Sequence, residues 1–137
     1  MTGPLDGVRI IDLSAIISGP MATQILADQG ADVNKIEAPG PGDLVRYLGP
    51  QRNGTNAMFT AVNRNKRAMV LNLKSPEGRQ VLIDLTKTAD VFVENFRPGA
   101  IERLGLGQEQ LRAQNPGLIY VSMSGFGDTG PYAKRRV

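Results

Sequence analysis

One short stretch, Asn63-Arg64-Asn65-Lys66-Arg67, packs cations and amides together, residue types suited to an anionic ligand; a second, Glu94-Asn95-Phe96-Arg97-Pro98, directly follows an apolar run. Guanidinium and ammonium groups bind phosphate through charge-assisted hydrogen bonds, Arg as a fork and Lys as a point charge. A solvated charged turn is the competing reading of the first stretch. The chain contains no Cys and no His. That excludes disulfides, thiolate nucleophiles and thiolate metal sites, and removes the commonest general base. Acid–base work would fall to Asp, Glu, Lys or Tyr. The net charge of +3 suits a phosphorylated ligand without arguing for nucleic acid.

The elements that must position these residues follow from the apolar pattern. With 137 residues, 41% hydrophobic and 21% charged, the chain is long enough for one domain with a real core. Val8 to Leu13 forms a first strand, and Ser14 to Gly19 a loop. Ser18 and Pro20 open a helix with Met21, Ile25 and Leu26 on its apolar face, ended by Gly30. A second strand spans Ala31 to Ile36, which makes a right-handed βαβ unit with parallel strands. Residues 38–58, rich in Pro, Gly and Asn, form a long loop.

Further strands cover Ala68 to Leu71, Asp90 to Glu94 and Leu118 to Met123. A helix starts at Ser75-Pro76-Glu77, with Ser75 as its cap and Val81, Leu82 and Leu85 on its buried face. Short helical pieces run from Ile101 to Leu104 and from Gln108 to Gln114. The fold class expected is α/β, a Rossmann-like open parallel sheet with helices on both faces. No repeat or domain boundary interrupts residues 1–137. No run approaches membrane-spanning length and no basic region leads into an apolar stretch at the start, so a cytoplasmic location is expected.

In such a sheet, ligands bind outside the carboxyl ends of the strands. The loop through Ile16, Ile17 and Ser18 occupies one such end, where a helix N-terminus can hold an anionic or carbonyl group. As a helix cap, Ser18 has a purely structural reading as well. The stretch after Glu94 lies at another carboxyl end, where Phe96 could equally plug the core and Arg103 sit on the surface. Gly125-Phe126-Gly127-Asp128-Thr129-Gly130 has the spacing of a dinucleotide loop, but Pro131 follows and no amphipathic helix opens. It reads as a tight glycine loop.

Many segments resemble the class III CoA-transferase family (CaiB/BaiF type), which is related to the α-methylacyl-CoA racemases. They run in register from Pro4-Leu5-Asp6-Gly7 through Ser18-Gly19-Pro20, Gly30-Ala31-Asp32-Val33 and Gly42-Asp43. They continue through Asn63 to Arg67, Leu71-Asn72-Leu73-Lys74, Glu94-Asn95-Phe96-Arg97-Pro98-Gly99, Arg103-Leu104-Gly105-Leu106 and Ser124-Gly125-Phe126-Gly127.

The resemblance implies the N-terminal part of a larger, interlocked homodimer. It implies coenzyme A and acyl-CoA as substrates, a carboxylic acid as acceptor, and no prosthetic group or metal. CoA contacts are implied at Ile17, Ser18, Leu71, Asn72, Leu73, Lys74, Asn95, Phe96, Arg97, Arg103 and Arg136. A frayed basic tail is the other reading of Arg136, and Ala38 stands where some relatives carry a nucleotide-contacting Arg. The implied chemistry is nucleophilic catalysis by an Asp through an acyl-aspartyl anhydride and an enzyme–CoA thioester. No Asp here matches that nucleophile, so no catalytic residue is assigned and the 137 residues alone are expected to be inactive. A racemase-type parent and a non-catalytic CoA-binding module stay open as alternatives. A nucleic-acid binder ranks last, for want of stacking aromatics.

Overall fold

The computed structural model describes residues 3–133 and residue 135. Arg136, named above for CoA, lies outside the described residues, as does Lys134. Five parallel strands form one sheet: β1 (Arg9–Asp12), β2 (Asp32–Glu37), β5 (Arg67–Val70), β6 (Val91–Glu94) and β7 (Ile119–Ser122). Their spatial order is β5-β2-β1-β6-β7, so the chain winds outward in both directions from β1. The crevice between β1 and β6 is the topological switch point, where open α/β sheets take ligands.

Alternation of side chains along the strands sends neighbours to opposite faces. Ile11, Leu13 and Phe92 pack with Leu82, Ile101 and Leu111 on the face covered by α3 (Pro76–Thr86), α4 (Ala100–Arg103) and α5 (Gln108–Gln114). Ile10, Val33 and Val93 pack with Ala27 of α1 (Ser18–Asp28) on the other. The expected doubly covered α/β sheet is therefore present. Phe92 also stacks on Tyr120 of β7, with ring centroids 5.1 Å apart.

Helix α3 starts as its sequence dictates, with the Ser75 hydroxyl accepting from the Gly78 N–H and Pro76 in the first turn. Its inner face holds Leu82 and Thr86, while Val81 faces outward. Helix α1 departs further from expectation. Its buried residues are Gly19, Pro20, Thr23, Gln24 and Ala27, and Met21 and Ile25 are 48% and 50% exposed. The cause is polar. Thr23 Oγ1 donates to Asp12 Oδ2 at 2.6 Å, and Gly19 lies so close to Ser14 that a Cβ there would collide with it. These contacts turn the small polar face inward and the apolar residues out.

Residues 38–58 are not one long loop. A 3₁₀ turn (Leu44–Tyr47) leads into a hairpin of β3 (Gln51–Arg52) and β4 (Thr55–Asn56), then α2 (Ala57–Asn63). The hairpin turn is Asn53-Gly54, both at positive φ, as a type I′ connection requires. Helix α2 is capped by Asn56, which accepts from the Phe59 N–H at 2.9 Å, and it packs beside α1.

Candidate functional site

Because the strands are parallel, all five carboxyl ends open on one rim of the sheet. The loops after β1, β5 and β6 begin at Leu13, Leu71 and Asn95 and thus share that rim. Beneath the loop after β1 lies a buried, charge-balanced quartet that sequence reasoning did not assemble. Lys66 Nζ sits 2.9 Å from Asp12 Oδ2, and Lys35 Nζ sits 2.9 Å from Asp43 Oδ2. All four side chains are at most 2% exposed.

The two pairs differ in quality. Lys66 donates to Asp12, the Pro20 carbonyl and Asn63 Oδ1 at 2.8–2.9 Å, which satisfies its ammonium fully. Burial still pulls its pKa below the usual lysine range, with Asp12 opposing. The Lys35–Asp43 contact is an ion pair outside hydrogen-bond alignment, and Lys35 instead donates to the Ser14 carbonyl at 2.9 Å.

The loop above the quartet is clamped at successive residues. Asp12 Oδ1 accepts from the Ser14 N–H at 3.0 Å and from the Ser14 hydroxyl. Asn95 embraces Ala15 from the β6 side, accepting from its N–H and donating to its carbonyl, both at 2.8 Å. Asp43 Oδ1 accepts from the Ile16 N–H at 3.1 Å. Ile16 has φ 70°, a left-handed conformation that a β-branched residue avoids. Such strain costs roughly 1–3 kcal/mol and persists only where the surroundings over-determine it. Ile17 precedes the first turn of α1, which no side chain caps. Ser18 is thus the first residue of the helix and not its cap.

In the basic stretch 63–67 each cation has a carboxylate partner. Arg64 pairs with Asp28, Lys66 with Asp12 and Arg67 with Asp32, while Asn65 donates to Asp28. It is a lock that ties β5 and α2 to α1, β1 and β2. By contrast, among the described residues no carboxylate lies within ion-pair distance of Lys74, Arg97 or Arg103. Within residues 71–74, Leu71 and Leu73 pack on the core, and Asn72 and Lys74 are exposed on the rim. Asn72 Oδ1 holds the Lys74 N–H at 3.1 Å. Arg103 folds back over Gly99, so that a Cβ there would meet its guanidinium at 3.1 Å.

Phe96 and Arg97 line a cavity of about 360 Å³ with Glu94, Glu102 and Tyr120, and none of Ile17, Ser18 or 71–74 reaches it. Glu94 is buried and accepts from the Phe96 N–H at 2.7 Å, which fixes this turn. Burial pushes its carboxyl above the usual range, with nearby Glu102 and Asp128 adding to the effect against hydrogen bonds from Ser122 and Phe96. Tyr120 is likewise raised by burial and by Glu94. After β7 the glycine-rich segment 125–130 runs through bends without opening a helix. No helix of the described residues is long and apolar enough to cross a membrane.

A doubly wound parallel sheet with a strained, clamped loop at its switch point defines an open-sheet α/β protein. The model of CoA-transferase family III matches residues 5–136, and the chain belongs to that family. It is 51% identical to an acyl-CoA transferase of Fusarium pseudograminearum, over 97% of this chain and 31% of the relative. It is 49% identical to an acetyl-CoA:oxalate CoA-transferase of Acetobacter aceti, over 96% of this chain and 34% of the relative. The crystal structure of a CAIB/BAIF family protein from Brucella suis superposes with TM-score 0.93 at 44% identity, covering 98% of this chain and 37% of that one. The chain thus spans about a third of the length of the relatives it matches.

Proposed function

We propose that residues 1–137 form part of one Rossmann-like domain and supply the CoA-holding rim of an acyl-CoA:carboxylate CoA-transferase. The observation that carries the proposal is the split among the cations. Those of residues 63–67 are spent on Asp12, Asp28 and Asp32, whereas Lys74, Arg97 and Arg103 have no such partner among the described residues and lie beyond the carboxyl ends of β5 and β6. Unpaired cations on a rim suit the pyrophosphate and 3′-phosphate of CoA. The uncapped start of α1 at Ser18, just after Ile17, suits a further polar group of the ligand. Leu71 and Leu73 hold Asn72 and Lys74 outward, and Phe96 offers an apolar surface beside Arg97.

In this reading an Asp outside these residues attacks the acyl-CoA thioester. The carboxylate oxygen bonds to the acyl carbon and CoA thiolate departs, leaving an acyl-aspartyl anhydride. Thiolate then attacks the aspartyl carbonyl, expels the first carboxylate and gives an enzyme–CoA thioester. An acceptor carboxylate reverses the sequence and leaves as its CoA ester. The relatives' names, one specifying oxalate as acceptor, favour transfer to a carboxylate over racemisation. The protein would act as an interlocked homodimer in the cytoplasm, with no prosthetic group.

Isothermal titration of CoA into the protein tests this directly. Saturable binding that weakens with salt is expected, because phosphate contacts are screened. Mixing the 137-residue chain with an acyl-CoA and a free carboxylate should give no exchange. Absence of CoA binding at high ligand excess by folded protein would remove the reading.

A further inference from the structure

Ile16 stands apart among the residues at positive φ. Among the described residues the other non-glycine cases, Asn53 and Asn65, belong to a type that tolerates this conformation, whereas Ile16 is β-branched. It also lies in the loop that carries Ile17 and Ser18 to the switch point. The strained residue therefore occupies the place where ligand geometry is set.

Among the described residues, the side chain that bonds the Ile16 backbone comes from a distant part of the chain. Asp43 follows β2 and reaches across to accept from the Ile16 N–H at 3.1 Å. The same oxygen accepts from Val45 N–H at 3.0 Å. Asp43 is itself fixed, since its N–H donates to Glu37 Oε2 at 3.0 Å. Glu37 is in turn gripped by Arg46 through two bonds of 2.8 and 2.6 Å, and that guanidinium lies 3.6 Å above the Phe59 ring. The 3₁₀ turn and α2 thus form a rigid bracket whose tip is the Asp43 carboxylate.

We propose that Asp43 is a positioning residue for the ligand. By holding Ile16 in a left-handed conformation, it keeps the Ile17–Ser18 segment in its binding-competent form before ligand arrives. The proposal rests on the CoA reading above. Preorganisation raises affinity because a loop that is competent only part of the time binds more weakly in that proportion.

A simple Asp43→Ala change would leave Lys35 buried without its counter-charge and could unfold the chain. The test therefore neutralises the pair first. Lys35→Met with Asp43→Asn keeps an acceptor for Ile16, and Lys35→Met with Asp43→Leu removes it; both lack the buried charges. Titration of CoA should show the Leu variant weaker than the Asn variant by about tenfold, if competence falls to about a tenth. Adding Ile16→Gly to each should shrink that ratio to about threefold or less, because glycine adopts this φ without help. A merely structural role for Asp43 would leave the ratio unchanged by Gly at position 16.

Equal affinities in the Asn and Leu variants, or a ratio indifferent to Ile16→Gly, would overturn the clamp while the CoA reading stands. Failure of the wild-type protein to bind CoA would overturn both. Hydrogen exchange needs no variant. The Ile16 amide should be protected in the free protein, and protection only after CoA is added would refute preorganisation.

Discussion

The Lys66 ammonium lies 2.9 Å from Asp12 Oδ2, closing a buried ion pair between residues fifty-four positions apart. Removing one member leaves the other charged and dry, which costs about 3–5 kcal/mol. Lys66→Met should lose stability of that order in urea unfolding at neutral pH. Adding Asp12→Asn should recover a substantial part, since Asn still offers an oxygen to Ser14 or Thr23. A Lys66→Met variant within about 1 kcal/mol of wild type would show that the pair stabilises little.

Two buried glutamates should respond to pH with opposite signs. Glu37 is held below the usual carboxylate range, chiefly by its hydrogen bond to Arg46. Its contribution is present above the unfolded value of about 4.5 and is lost as pH falls through the lowered value. Glu94 is raised by burial, so its contribution is full below about 4.5 and is lost as pH rises through the raised value. Glu37→Gln should therefore become more destabilising relative to wild type as pH rises from about 3 to about 7, and Glu94→Gln less so or stabilising. Chemical unfolding across that range checks both, and parallel curves for the two variants would contradict the assignment.

Much of this architecture is legible in the residues themselves. Strand and helix limits follow from apolar runs and from Ser75-Pro76, whose local chemistry the structure preserves. The inner face of α1 is not, because Asp12 and Ser14 govern how Thr23 and Gly19 pack, and apolar periodicity cannot register such contacts. The quartet of Asp12, Lys35, Asp43 and Lys66 is invisible for a related reason. Its members come from separate elements, and only the sheet order brings them together. Lys66 resembles a phosphate ligand because sequence shows charge but not the partner that consumes it.

Asn56 shows where a local signal exists inside a stretch that composition alone marks as loop. It follows an Asn53-Gly54 turn and precedes Ala57-Met58-Phe59, a cap before a helix-forming run. Its side chain accepts from Phe59 N–H at 2.9 Å and donates to the Leu48 carbonyl at 2.6 Å. Asn56→Ala should cost about 2 kcal/mol, combining the lost cap with a carbonyl left unbonded. Thermal unfolding should show it, and a cost below about 0.5 kcal/mol would mean that α2 is held by packing alone.

Unpaired cations on the rim and a paired cation away from it, Arg64 before the start of β5, can be separated by ligand. Lys74, Arg97 and Arg103 have no carboxylate within ion-pair distance among the described residues, whereas Arg64 is paired with Asp28. Replacing any of the three by Ala should weaken CoA about fivefold or more, the loss of a charge-assisted contact. Arg64→Ala should change affinity by less than about twofold, since its guanidinium serves a surface ion pair. Dephospho-CoA sharpens the comparison because it lacks only the 3′-phosphate. The variant that loses affinity for CoA but not for dephospho-CoA identifies the residue facing that group. If Arg64→Ala weakens CoA as much as the other three, unpaired charge is not what selects the ligand-binding cations, and the rim must be reassigned.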